Sequence, residues 1–154
     1  MDRRFLQRAP LAAPAVAALL MAAGCAPADG PAGTPSTRPA TAEVLGGGQW
    51  DVKTLNGAAV LPNVPINITF EKGRVFGAGS CNRFMGGYKP GEPFRIEMSQ
   101  MASTMMACPD AIMRQEQTFL AILGDVTSYA VDAAGVLTLK TADGRTITAQ
   151  RKPA

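Results

Sequence analysis

The chain has 154 residues, with 15 lysines and arginines against 12 acidic residues and no histidine. Lacking histidine, it has no serine or cysteine triad of the usual type, no histidine-based zinc site and no imidazole acid–base catalysis. The formal charge of +3 is concentrated at the start: residues 1–24 hold Arg3, Arg4, Arg8 and Asp2, and the remainder carries 12 basic against 11 acidic side chains, or +1. That balance removes the main support for a nucleic-acid partner.

A basic start is followed by Leu11–Ala23, a short apolar run that is rich in alanine and interrupted by Pro14. It is shorter than the roughly 20 apolar residues needed to span a bilayer, and it has the layout of a secretory signal. The run ends in Ala23-Gly24-Cys25, which resembles a bacterial lipobox, with Ala22 where leucine is usual. Residues 1–24 are therefore expected to be a lipoprotein signal peptide, with Cys25 acylated and membrane lipid as its partner. Several acyl chains hold firmly where one does not. Ala26 rather than aspartate after the cysteine favours the outer membrane, with the domain facing the periplasm. Residues 25–48 are rich in Ala, Pro, Gly, Thr and Ser and read as a disordered tether. The folded part is then one small domain over residues 49–152.

Gln49–Leu55 alternates as a strand and ends at Asn56-Gly57, a strong turn signal. A loop through Pro62 and Pro65 leads to Ile66–Glu71, where Ile66, Ile68 and Phe70 share a face. Lys72-Gly73 turns the chain into Arg74–Ala78. The glycine-rich stretch Gly77–Tyr88 then reads as a bend and loop, because glycines weaken a strand. Phe94–Met98 alternates again, and Met101, Ser103 and Met105 share one face of a further extended piece. Pro109 suits the first helical turn, and Asp110 favours the helix dipole. Ile112, Met113, Phe119, Leu120 and Leu123 form one helical stripe, stopped by Gly124. Strands over Asp125–Val131, Gly135–Thr141 and Arg145–Gln150 follow, the last pair joined at Asp143-Gly144. The pattern predicts an α+β fold: a small, mostly antiparallel β-sheet or half-barrel with one inserted α-helix.

Cys81 and Cys108 are the cysteines left after Cys25. In an oxidising compartment a pair of thiols tends to be joined. A bridge closing their loop contributes about 3–4 kcal/mol in the chain-entropy model. The alternatives are two separate buried thiols or a redox pair, the latter without a closely spaced C-x-x-C. Glu116 falls on or beside the apolar stripe and so needs partners. It is either an internal clamp between the helix and the Gly77–Asn82 loop, with the loop supplying backbone N–H groups and Arg83 a charge, or an edge residue reaching water; a catalytic acid ranks last. Met98, Met101 and Met105 offer thioethers suited to Cu(I), although methionines also fill cores. The glycine run lacks a phosphate-binding loop pattern, since Asn82 stands at the third glycine position of G-x-G-x-x-G, and Ser80 is not in a G-x-S-x-G elbow.

Trp50, Leu55-Asn56-Gly57, Phe70, the run Gly77–Tyr88, Ser103–Cys108, Glu116, Phe119 and Leu137-Thr138-Leu139 together resemble the META domain, also called DUF306 or HslJ-like. The resemblance covers the whole folded part. It implies a compact, mostly antiparallel α+β fold without known catalysis or cofactor, often in lipoproteins, some linked to heat shock. Its motif positions here are Gly77, Gly79, Asn82, Arg83, Phe84, Gly86, Thr104 and Glu116. The expected function is that of a non-enzymatic, stress-associated envelope lipoprotein, serving as a binding or structural module with an envelope protein as a possible partner. A periplasmic Cu(I)-handling protein using the methionines is the competing reading.

Overall fold

The computed structural model describes residues 41–153. A short helix, α1 (Thr41–Leu45), precedes strands β1 (Gln49–Leu55), β2 (Ala58–Ala59), β3 (Asn67–Glu71), β4 (Arg74–Ala78), β5 (Arg83–Gly91), β6 (Arg95–Met98) and β7 (Ala102–Ser103). Helix α2 (Asp110–Gly124) follows, and then β8 (Val126–Val131), β9 (Val136–Thr141) and β10 (Thr146–Arg151). The proposed signal residues and Cys25 lie outside the described residues. Among the described residues no helix is long and apolar enough to cross a membrane.

The sheet runs β1-β3-β4-β5-β6-β8-β9-β10 and returns to β1, every neighbour antiparallel. It is a closed eight-stranded barrel and not the expected half-barrel. The closing pair joins the two ends of the domain: Trp50 faces Arg151 and Leu55 faces Ile147. Closure gives each of the eight strands a neighbour on both sides, with β6 and β8 meeting at one pair, and it joins distant parts of the chain that local patterning does not connect. The hairpin turns Asn56-Gly57 and Lys72-Gly73 have positive φ at both residues, the primed geometry that matches strand twist.

Alternation sends Trp50, Val52, Ile68, Phe70, Leu137, Leu139, Ile147 and Ala149 inward, into one core. An eight-stranded barrel is just wide enough for side chains to fill its interior. Helix α2 completes that core with Phe119, Ile122 and Leu123, and Phe119 meets Phe84 edge-to-face at 5.3 Å between ring centres. Pro109 is the N-cap of α2 rather than a residue of its first turn, and its carbonyl accepts the Ile112 and Met113 N–H groups.

The glycine-rich run contains a strand. β5 covers Arg83–Gly91 and pairs with β4 from Arg83–Ala78 to Gly87–Arg74. Its glycines do not interrupt it, because neighbours occupy the space where side chains would stand. A Cβ on Gly86 would lie 2.4 Å from Met101 Sδ, and one on Gly87 would lie 2.8 Å from Ser99 Oγ. The loop is confined to Gly79–Asn82, closed by a bond from Gly79 N–H to the Asn82 carbonyl.

The domain also begins before residue 49. Leu45 is fully buried, and Trp50 Nε1 donates to its carbonyl at 2.8 Å. The Arg151 guanidinium lies 4.3 Å from the Trp50 ring centre and donates to the carbonyls of Gly46 and Val44. The end of the expected tether is therefore strapped across the closing strands, by an apolar anchor and a cation that composition did not reveal. Arg151→Ala removes both the stacking and the two bonds and is expected to lower stability by about 1–2 kcal/mol in urea unfolding. Arg151→Lys recovers little, because an ammonium cannot fork between two carbonyls while lying flat on a ring. A parental midpoint in both variants would show that the strap adds no stability.

Candidate functional site

The motif residues meet where the β4–β5 loop, the segment after β7 and helix α2 come together. Glu116 lies four residues after Ile112 and three before Phe119, in the middle of the helical stripe, and is only 4 % exposed. Its carboxylate accepts the backbone N–H groups of Cys81 (2.9 Å) and Asn82 (2.6 Å) on Oε2, and the Asn82 side-chain amide on Oε1 (2.7 Å). Among the described residues no cation lies within ion-pair distance of it. Arg83, expected to supply charge, is exposed, because alternation along β5 turns it outward while Phe84 points inward. Three N–H donors take the place of a counter-ion.

Asn82, 3 % exposed, is the hub. Its Nδ2 donates to Glu116 and to the Met106 carbonyl, while its Oδ1 accepts Met106 N–H (2.7 Å) and the Thr104 hydroxyl (2.9 Å). Its backbone N–H goes to Glu116 and its carbonyl accepts Gly79 N–H. Both amide donors, the amide oxygen and both backbone groups are thus engaged. Thr104 also pairs with the Arg83 backbone in both directions. A disulfide joins Cys81 to Cys108 beside this network, with Cα atoms 6.1 Å apart. Gly79 leaves room for the carboxylate, since a Cβ there would lie 3.1 Å from Glu116 Oε2. Gly77 lies against the Asn67 carbonyl, which a Cβ would approach to 2.1 Å.

Sequence reasoning missed three contributors. Asn67 Oδ1 accepts Ala78 N–H and pins the end of β4. Gln115 donates to Ser80 Oγ and accepts Leu61 N–H, so α2 holds two loops at once. Arg151 belongs to the strap. Each acts through a contact distant in sequence, and none sits in a local motif. The methionines do not gather: Met98 and Met101 pack against the core, Met101 on Gly86, whereas Met105 is 98 % exposed.

A second region is the cleft where β6 and β8 part after pairing at Arg95 and Ser128 alone. It has a volume of about 840 Å³ and is lined by Lys89, Arg95, Glu97 and Arg145 among others. Arg145 binds Asp125 (2.6 Å) and Asp143 (2.9 Å), which holds its guanidinium above its ordinary value. The Thr141 hydroxyl, and then Arg145, hold the Asp143 carboxyl below its ordinary value. These three groups are spent on one another and tie the end of α2 to the β9–β10 turn.

Glu116→Gln keeps the shape but turns an N–H₂ toward a donor. Asn82 cannot rotate to relieve this, because its oxygen already serves Thr104 and Met106. A loss of about 1–3 kcal/mol is expected by urea denaturation. Cys81→Ser with Cys108→Ser is expected to cost about 2–4 kcal/mol and leave the circular dichroism spectrum unchanged. A Glu116→Gln midpoint equal to the parent would show that the carboxylate is not the fastening. Two alkylatable thiols in the exported protein would refute the bridge.

The META domain family matches residues 43–154, most of the chain. No curated protein matches the sequence. The fold is similar to that of a protein from Burkholderia xenovorans solved by NMR, with TM-score 0.59 and 22 % identity over 72 % of this chain and 86 % of that one. A second NMR structure matches with TM-score 0.58 and 24 % identity over 72 % and 95 % of the two chains. The crystal structure of a DUF4847 family protein from Bacteroides vulgatus matches with TM-score 0.54 and 17 % identity over 73 % and 99 %. At these identities the likeness is one of fold, and it agrees with the family assignment: the chain belongs to the META domain family.

Proposed function

We propose that this protein is an outer-membrane lipoprotein, held by acylated Cys25, whose META domain faces the periplasm as a non-catalytic, stress-associated binding or structural module. One observation carries the reading. The polar atoms of Asn82, Thr104 and Glu116 are turned toward one another and toward the backbone that they fasten, beside the cystine. A group that serves as acid, base or nucleophile must reach a substrate. Here the motif builds the domain, and recognition is left to outward-facing side chains. The envelope location rests on the Ala23-Gly24-Cys25 sequence after an apolar run and a basic start. The cystine fits an oxidising compartment.

Membrane fractionation with intact-mass measurement tests the anchor. The native protein is expected in the membrane fraction, beginning at residue 25 and carrying acyl mass, and Cys25→Ser is expected to abolish both the added mass and the sedimentation. A soluble native protein without lipid mass would end the lipoprotein reading.

A further inference from the structure

We propose that the outer wall formed by β4, β5 and β7 is a membrane-docking face that lies on the anionic lipid leaflet. The register sets Phe76 beside Met85 and Met85 beside Ala102, so these residues form one row across three strands. A backbone bond from Thr104 N–H to the Arg83 carbonyl extends the β5–β7 pairing by one residue, and the Asn82 side-chain amide then holds the backbone of Met106. Among the described residues five large apolar side chains are exposed. Three of the five are on or next to this wall: Met85 (65 %) in the row, and Met105 (98 %) and Met106 (58 %) just past Arg83 and Thr104 in the segment after β7. A hollow of about 550 Å³ lies along it, bordered by Arg74, Phe76, Arg83 and Met85.

The charges say what covers it. Arg74 lies over the Phe76 ring at 5.9 Å, and Arg83 flanks the row at its other end. Neither has a carboxylate within ion-pair distance among the described residues, and Glu71, opposite Arg74 in the register, is taken by Lys72. Flexible apolar side chains beside guanidiniums that have no carboxylate partner among the described residues match an interface in which methionines enter the acyl boundary and arginines meet phosphate headgroups. The length of chain between Cys25 and α1 keeps the domain within reach of the leaflet. Helix α1 packs against β3 and β5, the strands on either side of β4. Fifteen residues separate Cys25 from Thr41. Such a segment spans at most about 50 Å when fully extended. The docking face rests on the lipoprotein reading for its leaflet, while the patch itself rests on exposure and charge.

The test uses the full mature chain carrying Cys25→Ser, exported behind an ordinary signal so that the cystine forms, and vesicles of phosphatidylethanolamine with phosphatidylglycerol against phosphatidylcholine alone. Co-sedimentation is expected with the anionic vesicles, weakening with salt. Arg74→Glu with Arg83→Glu is expected to reduce it roughly tenfold or more, given the contribution of each basic residue near an anionic surface. Met85→Ser with Met105→Ser is expected to reduce it several-fold. Lys140→Glu, on β9 across the barrel, is expected to leave it unchanged, and a parental melting temperature checks that each variant is folded. No binding, equal binding to neutral vesicles, or equal loss in the Lys140 variant would overturn the proposal. So would crosslinking of the patch to an envelope protein with the vesicles ignored. Intact mass of the native protein reports the anchor separately, so a failed anchor and a failed docking face give different results.

Discussion

The structure depends on a buried carboxylate that has no cation within ion-pair distance among the described residues. Glu116 enters the core with its helix because its position on the stripe gives it no other direction. A carboxylate without partners there costs several kcal/mol. The loop between β4 and β5 answers with three N–H groups, two from the backbone and one from Asn82. This fixes the path of four residues, including Ser80, held at φ 122°. Asn82 then passes the constraint on: its oxygen holds Thr104 and Met106, which seats the segment after β7 against β5. The cystine closes the same join covalently. The two fastenings act on different states: the hydrogen bonds stabilise the folded join, and the bridge restricts the unfolded chain in the entropy account.

A second constraint is closure. A barrel removes the edges that an open sheet would offer to other chains. Here it depends on the pairing of β1 with β10, and the strap is built over that pair. Trp50 from β1 and Arg151 from β10 stack on each other, and both bind the residues just before β1. The first and last strands are thus tied together through the N-terminal segment as well as through their ladder. Leu45 fills the apolar space beside them.

The clamp is self-satisfied and the core is filled. Methionine appears in two roles within one short stretch. Met98 and Met101 are packing, and Met101 explains why Gly86 has no side chain. Met85, Met105 and Met106 face outward on the wall beside them. Spacing in the sequence cannot separate these roles, because the same thioether fills a core gap or covers a surface.

Much of the fold was legible because its signals are local. Alternation gave β1 and β4 with the bounds observed, and β3, β8, β9 and β10 to within a residue, and the Asn56-Gly57 and Lys72-Gly73 turns are local geometry. Helix α2 was readable from its stripe and from Gly124. The family resemblance rested on motif residues that form the clamp. Other features required the three-dimensional contacts. β5 was hidden because its glycines answer to Met101 and Ser99, residues on the other side of a turn. Closure was hidden because β1 and β10 are separated by most of the domain. The position of Glu116 on the stripe raised a clamp between helix and loop as one of its readings. Of the partners that the sequence suggested, the backbone N–H groups of the loop are used, whereas Arg83 is not, because alternation along β5 turns it outward. The third donor, the Asn82 side-chain amide, was not among those suggested partners, and only the tertiary structure brings it to the carboxylate.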